Sequence, residues 1–127
     1  MQKQTSLLAG AIIGGLAVAI GAFGAHALKQ FLIDAGREDT FQLAVRYQFY
    51  HALALLATGL IMNPSNSKVL RYSSLFFVLG IIFFSGTLYG LCFTGIGMLG
   101  AITPLGGIFF ILGWALLAMG IYKNKAS

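Results

Sequence analysis

Four long apolar stretches, set apart by short polar ones, make up most of this chain. They run from about Leu7 to Leu28, Phe41 to Met62, Leu70 to Phe93, and Pro104 to Tyr122. A hydrocarbon core about 30 Å thick takes roughly 20 residues of helix, so each run is long enough for one crossing. The pattern predicts an all-α fold, a four-helix transmembrane bundle, with residues 1–127 as a single integral membrane domain. Asp39 and Thr40 are good N-cap residues for the second helix. Thr103–Pro104 sets a cap residue before a proline at the first helical position of the fourth. Between the runs lie a charged loop (Lys29 to Thr40), a turn rich in Asn, Pro and Ser (Asn63 to Ser67) and a glycine-rich connection (Thr94 to Ile102).

The first run has a rival reading as a secretory signal, with Lys3 ahead of it and Ala25-His26-Ala27 as a cleavage box. It exceeds the usual 7 to 15 residue core of a signal peptide, so an uncleaved helix is expected. Four spans put both termini on one side. That side, with the turn between the second and third spans, holds Lys3, Lys68, Arg71, Lys123 and Lys125, against Lys29, Arg37 and Arg46 on the other. The bias predicts cytoplasmic termini.

Lipid tails are as apolar as leucine, so helices in a membrane associate by close backbone approach at small residues. Gly10, Gly14, Ala17, Gly21 and Gly24 share one face of the first helix; Gly86 and Gly90 mark the third; Gly106, Gly113 and Gly120 recur every seven residues in the fourth. These are expected packing faces, and a second copy of the chain is a further partner they suggest. A nucleotide loop at Gly14-Gly15 is excluded, because no strand precedes it and no Gly-Lys-Ser/Thr follows.

Composition supports a membrane domain: 58% of residues are hydrophobic and only 9% charged, far below the quarter or so typical of soluble proteins. The net charge of +5 reflects scarce carboxylates, since Asp34, Glu38 and Asp39 are the only three. The lipid bilayer is therefore the expected partner and nucleic acid is not. The lone Cys92 allows no intramolecular disulfide and no paired-cysteine metal site.

Ionisable groups inside a span are costly and are functional candidates by default. His51 falls near the middle of the second span, while Arg46 can snorkel outward. Tyr47 and Gln48 precede His51 by four and three residues, on the same helix face. Ser85, Thr87 and Tyr89 come at similar depth in the third span, and His26 lies at the outer end of the first. Polar groups facing lipid are expensive, so His26, Tyr47, Gln48, His51, Ser85, Thr87 and Tyr89 are expected to meet as one polar cluster, with the inner half of the bundle almost bare. Such a cluster fixes helix register or forms a path or pocket for a proton or small solute. Haem ligation by His26 and His51 is disfavoured by their different depths, and no metal, cofactor or catalytic residue is expected. Ser85 has no acidic partner for a hydrolytic triad, and the chain is expected not to be an enzyme.

The segments GAFGAHALK, TFQLAVRYQFYHALALLATG, FFSGTLYGL and TPLGGIFFILGW, in this order, resemble the small bacterial membrane proteins of domain-of-unknown-function family 423. That family is also called uncharacterised protein family 0382 and is related to the eukaryotic transmembrane protein 256. The resemblance covers nearly the whole chain and implies a multi-pass protein of the cell membrane. It places the family's motif residues at Gly21, Phe23, Gly24, His26, Tyr47, Gln48, His51, Ser85, Gly86, Tyr89, Pro104, Gly106 and Trp114, and it implies no activity. A structural or interaction role is the first expectation, and a proton or small-solute channel or transporter around His51 the alternative. Small multidrug exporters also have four spans, but they depend on a glutamate buried in the first, which is absent here.

Overall fold

A computed structural model describes the backbone of residues 1–126 and the side chains of residues 1–123; the side chain of Lys125 lies outside them. All regular structure among the described residues is helical: α1 (Lys3–Ala25), α2 (Lys29–Ala35), α3 (Glu38–Ile61), α4 (Ser67–Thr94) and α5 (Gly97–Ala126). Within α4 the turns at Ile81–Gly86 are π-helical.

The helices depart from the predicted boundaries for identifiable reasons. The charged loop contains the short helix α2, which ends where Gly36 turns left-handed at φ 69° and Arg37 N–H closes back on Leu32 O at 2.9 Å. α3 starts at Glu38, so Asp39 and Thr40 lie inside it and make no cap bond. Glu38 and Asp39 instead occupy its first turn, where carboxylates favour the helix dipole. α5 starts at Gly97, which puts Pro104 inside the helix and not at its first position. The glycine-rich connection shrinks to Gly95–Ile96, because Gly95 at φ 70° ends α4 and Ile96 N–H is held by the Thr94 hydroxyl at 3.2 Å.

α1 packs chiefly on α3, and α5 chiefly on α4, while α3 and α4 lie against each other in the middle. The small residues account for both outer seams. A methyl at Gly10 would stand 2.9 Å from the Ala52 carbonyl oxygen and one at Gly21 3.2 Å from Val45, while one at Gly24 would overlap the Phe41 ring; Ala17 is fully buried between them. Gly14 is looser, with Ala52 Cβ at 3.5 Å. On α5, a methyl at Gly113 would stand 2.7 Å from Phe77, one at Gly120 would overlap Leu70, and Gly106 lies against the α4 backbone at Phe83 and Phe84. Gly90 meets Leu99. Gly86 departs from expectation: it is exposed, and a methyl there meets only Ile81 O, at 3.9 Å within its own helix. The π-helical turn shifts the facing positions, and Gly80, against Phe110, is the packing glycine instead. Apart from Gly86, each predicted packing glycine faces a neighbouring helix of the same chain.

Among the described residues, three helices are long and apolar enough to cross a membrane: Lys3–Ala25, Ser67–Thr94 and Gly97–Lys123. They expose a broad apolar surface that includes Leu8, Val18, Phe23, Ile82, Ile108 and Ile111. α3 is the exception to the expected four, since Glu38, Asp39, Arg46, Gln48 and His51 lower its hydropathy. Several of its polar residues point inward: Gln48, His51 and Thr58 are buried.

Candidate functional site

Positions 44, 48, 51, 55 and 58 of α3 recur at helical spacing, and all are buried. Side chains on this face can therefore reach the other helices, and Gln48 and His51 hydrogen-bond to them.

His51 makes the most constrained contact. Its Nδ1 lies 2.7 Å from Tyr47 O, one turn back, and its Nε2 lies 3.0 Å from the indole nitrogen of Trp114 on α5. A carbonyl only accepts and an indole N–H only donates, so Nδ1 carries the hydrogen and Nε2 the lone pair. The ring is neutral in this arrangement, with both nitrogens in use. Phe110 stacks on it at 3.5 Å between centroids and 9° between planes, which fixes its orientation.

Gln48 joins three helices. Its amide nitrogen donates to Ile13 O on α1 at 3.0 Å, and its carbonyl accepts the Tyr89 hydroxyl of α4 at 2.6 Å. The α1 carbonyl is within reach because Gly10, Gly14 and Ala17 bring α1 so close to α3. One turn earlier, the Ser85 hydroxyl of the π-helical segment donates to Ala44 O at 2.7 Å.

Gln48 and Tyr89 do meet, and so do His51 and the Tyr47 carbonyl, but among the described residues no hydrogen bond joins these two sets to each other or to Ser85. Thr87 turns toward α5, where its hydroxyl meets that of Thr103 at 2.8 Å. Tyr47 contributes its carbonyl, while its ring stacks on Phe84 at 4.6 Å. His26 is exposed where α1 ends, and its ring has no hydrogen-bond partner among the described residues. Trp114, which sequence reasoning noted only through the family resemblance, is the partner of His51. A lone indole in the middle of an apolar run was the available signal.

The inner half also differs from the bare interior expected. The Ser6 hydroxyl lies 2.8 Å from that of Ser74 and 2.9 Å from Leu55 O, so α1, α3 and α4 meet there. Ser73 donates to Gly113 O at 2.7 Å, and Asn66 Nδ2 to Ile61 O at 3.2 Å and Gly120 O at 3.4 Å. Serines in an apolar run give little sign of this role, because a hydroxyl is small and finds a backbone carbonyl even where no polar side chain faces it. Among the described residues, no buried side-chain nitrogen or oxygen lacks a hydrogen-bond partner.

A helical chain with several membrane-length apolar helices and its buried polar side chains satisfied internally is an integral membrane protein. The family sequence profile described as protein of unknown function (DUF423) matches residues 20–107. The chain belongs to that family. It is 44% identical over 117 residues to a UPF0382 membrane protein of Staphylococcus saprophyticus, covering 92% of this chain and 96% of the relative. It is 37% identical over 125 residues to the UPF0382 inner membrane protein YgdD of Escherichia coli K12, covering 98% and 95%. No solved structure matches the chain.

Proposed function

We propose that α3 is a fourth span, that both termini face the cytoplasm of a cell-membrane protein, and that the protein is a non-enzymatic structural or interaction component, not a pore. At about 1.5 Å per residue, the 24 residues of α3 reach about 36 Å, enough to cross. The observation that carries the role is the use of Gln48, His51 and Ser85 as ties between helices, with no buried side-chain nitrogen or oxygen among the described residues left over to line a path. The hollows beside Phe41, Arg71, Pro64, Phe49 and Tyr122 are open to the surroundings and do not have Gln48, His51, Ser85 or Tyr89 in their walls.

Topology is tested by cysteine labelling in a Cys92→Ala background. A cysteine at Ala35 is expected to react with an impermeant thiol reagent on intact cells, and one at Ser65 only after permeabilisation. Reaction of both on intact cells refutes a crossing by α3; reaction of Ser65 alone reverses the orientation. The role is tested in proteoliposomes, where proton and fluoride flux is expected to equal that of empty liposomes. Flux above that level, abolished by His51→Ala, establishes the transport alternative.

A further inference from the structure

Where α1 ends at Ala25 and α2 turns away, a notch of about 370 Å³ opens between α1, α2 and the start of α3. Its wall carries three charged groups, Lys29, Glu38 and Arg46, over an apolar floor that includes Leu32 and Phe41. A second hollow of about 270 Å³ shares Gly21, Val45 and Arg46 with it and continues along the α1–α3 seam past Ala17, Val18 and Phe49. Together they form one trough, charged at its mouth and apolar along its length. The missing side chain of Gly21 helps to leave it open.

Among the described residues, no hydrogen bond or ion pair engages the side chain of Lys29, Glu38 or Arg46. Arg46 is exposed on α3 eight residues past Glu38, about 12 Å along the helix. With α3 crossing the bilayer, that depth is costly for a guanidinium unless it reaches an anion, and snorkelling along the trough leads toward the mouth. A phosphate suits two cations, Lys29 and Arg46, through charge-assisted hydrogen bonds. The carboxylate of Glu38 beside them disfavours a purely anionic head and favours one that also carries a hydrogen-bonding cation. The apolar continuation fits a hydrocarbon chain.

From these charges and this shape we infer that the trough binds an aminophospholipid of the phosphatidylethanolamine kind, its phosphate between Lys29 and Arg46, its ammonium at Glu38 and one acyl chain along Ala17 and Phe49. The inference rests on the proposed crossing by α3, which the cysteine labelling tests separately, and it is indifferent to orientation and to transport. The occupant is a membrane lipid and not free phosphate, because the apolar length has no use for a soluble anion.

The test is native mass spectrometry of the full-length protein in mild detergent, titrated with phosphatidylethanolamine, phosphatidylglycerol and phosphatidylcholine of matched chains. One phosphatidylethanolamine is expected to bind about tenfold more tightly than either of the others, roughly the effect of one charge-assisted hydrogen bond. Lys29→Gln/Arg46→Gln should weaken it by about tenfold or more, and Glu38→Gln should bring phosphatidylglycerol level with it. Lys68→Gln/Arg71→Gln, at the other end of the bundle, should change nothing, and soluble glycerophosphoethanolamine should not compete. Melting temperatures show whether each variant is folded, and the comparison of headgroups on the wild type needs no variant. Equal binding of all three lipids, preference for phosphatidylglycerol, competition by the soluble headgroup, or equal loss in the control pair overturns the assignment.

Discussion

Gly106→Ala is expected to destabilise the protein in detergent by about 3 kcal/mol, while its neighbour Gly107→Ala leaves stability unchanged or slightly raised. Overpacking a tight contact usually costs about 1 to 3 kcal/mol, and the position within that range depends on whether the neighbour can yield. At Gly106 the neighbour is backbone: the added methyl would lie 2.6 Å from the carbonyl carbon of Phe83 and closer still to the amide nitrogen of Phe84. No rotamer change relieves it, so α5 must move away from α4. Gly113 and Gly120 meet side chains, which can rotate in part, and their alanine variants should lose less. At Gly107 nothing lies within 4 Å, and replacing glycine inside a helix gains about 0.5 to 1 kcal/mol in backbone entropy. Thermal unfolding of the three α5 variants beside Gly107→Ala decides it. Equal melting temperatures for Gly106→Ala and Gly107→Ala would mean that α5 does not pack on α4 through this face.

Trp114→Phe should cost about 1 to 3 kcal/mol, the usual penalty for stranding a buried polar atom. The phenyl ring keeps much of the packing but removes the N–H that His51 Nε2 accepts, and His51 is only 5% exposed. Trp114 itself is 47% exposed, so little of the loss should come from core packing. A double-mutant cycle isolates the bond: His51→Phe should strand the indole in turn, and the double variant should recover part of the loss because neither polar atom remains. Strict additivity of the two single costs would mean that the pair is not coupled.

The sequence made legible the features that follow from one helix alone. The apolar runs located α1, α4 and α5 to within a turn or so at most ends, and glycine spacing marked both outer seams, because the same seven-residue recurrence that is visible in sequence puts residues on one face. What depends on two helices was not legible. His51 was recognisable as a polar residue needing a partner, but its partner lies 63 positions away on α5. Depth alone does not separate them, since His51 lies ten residues past Phe41 and Trp114 ten residues past Pro104, about 15 Å of helix in each case; a tryptophan among apolar residues reads more readily as packing than as a hydrogen-bond donor. Gly86 was misplaced for a related reason. A π-helical turn inserts a residue into the ladder, and nothing in Ile81–Gly86 announces it. The long α5 start was hidden by Pro104, which reads as a helix beginning, whereas here the helix runs through it.

The central claim is that His51 is a dry tie between α3 and α5, neutral, with both ring nitrogens committed within the protein. Nitrogen-15 NMR of histidine-labelled protein in lipid bilayers at pH 7 reads this directly. The account predicts for His51 a protonated Nδ1, an unprotonated Nε2 in contact with the Trp114 indole hydrogen, and no exchange of the Nδ1 hydrogen with water on the timescale of the experiment. The reverse tautomer, an imidazolium, or a water cross-peak at either nitrogen would contradict it and open the interior to transport.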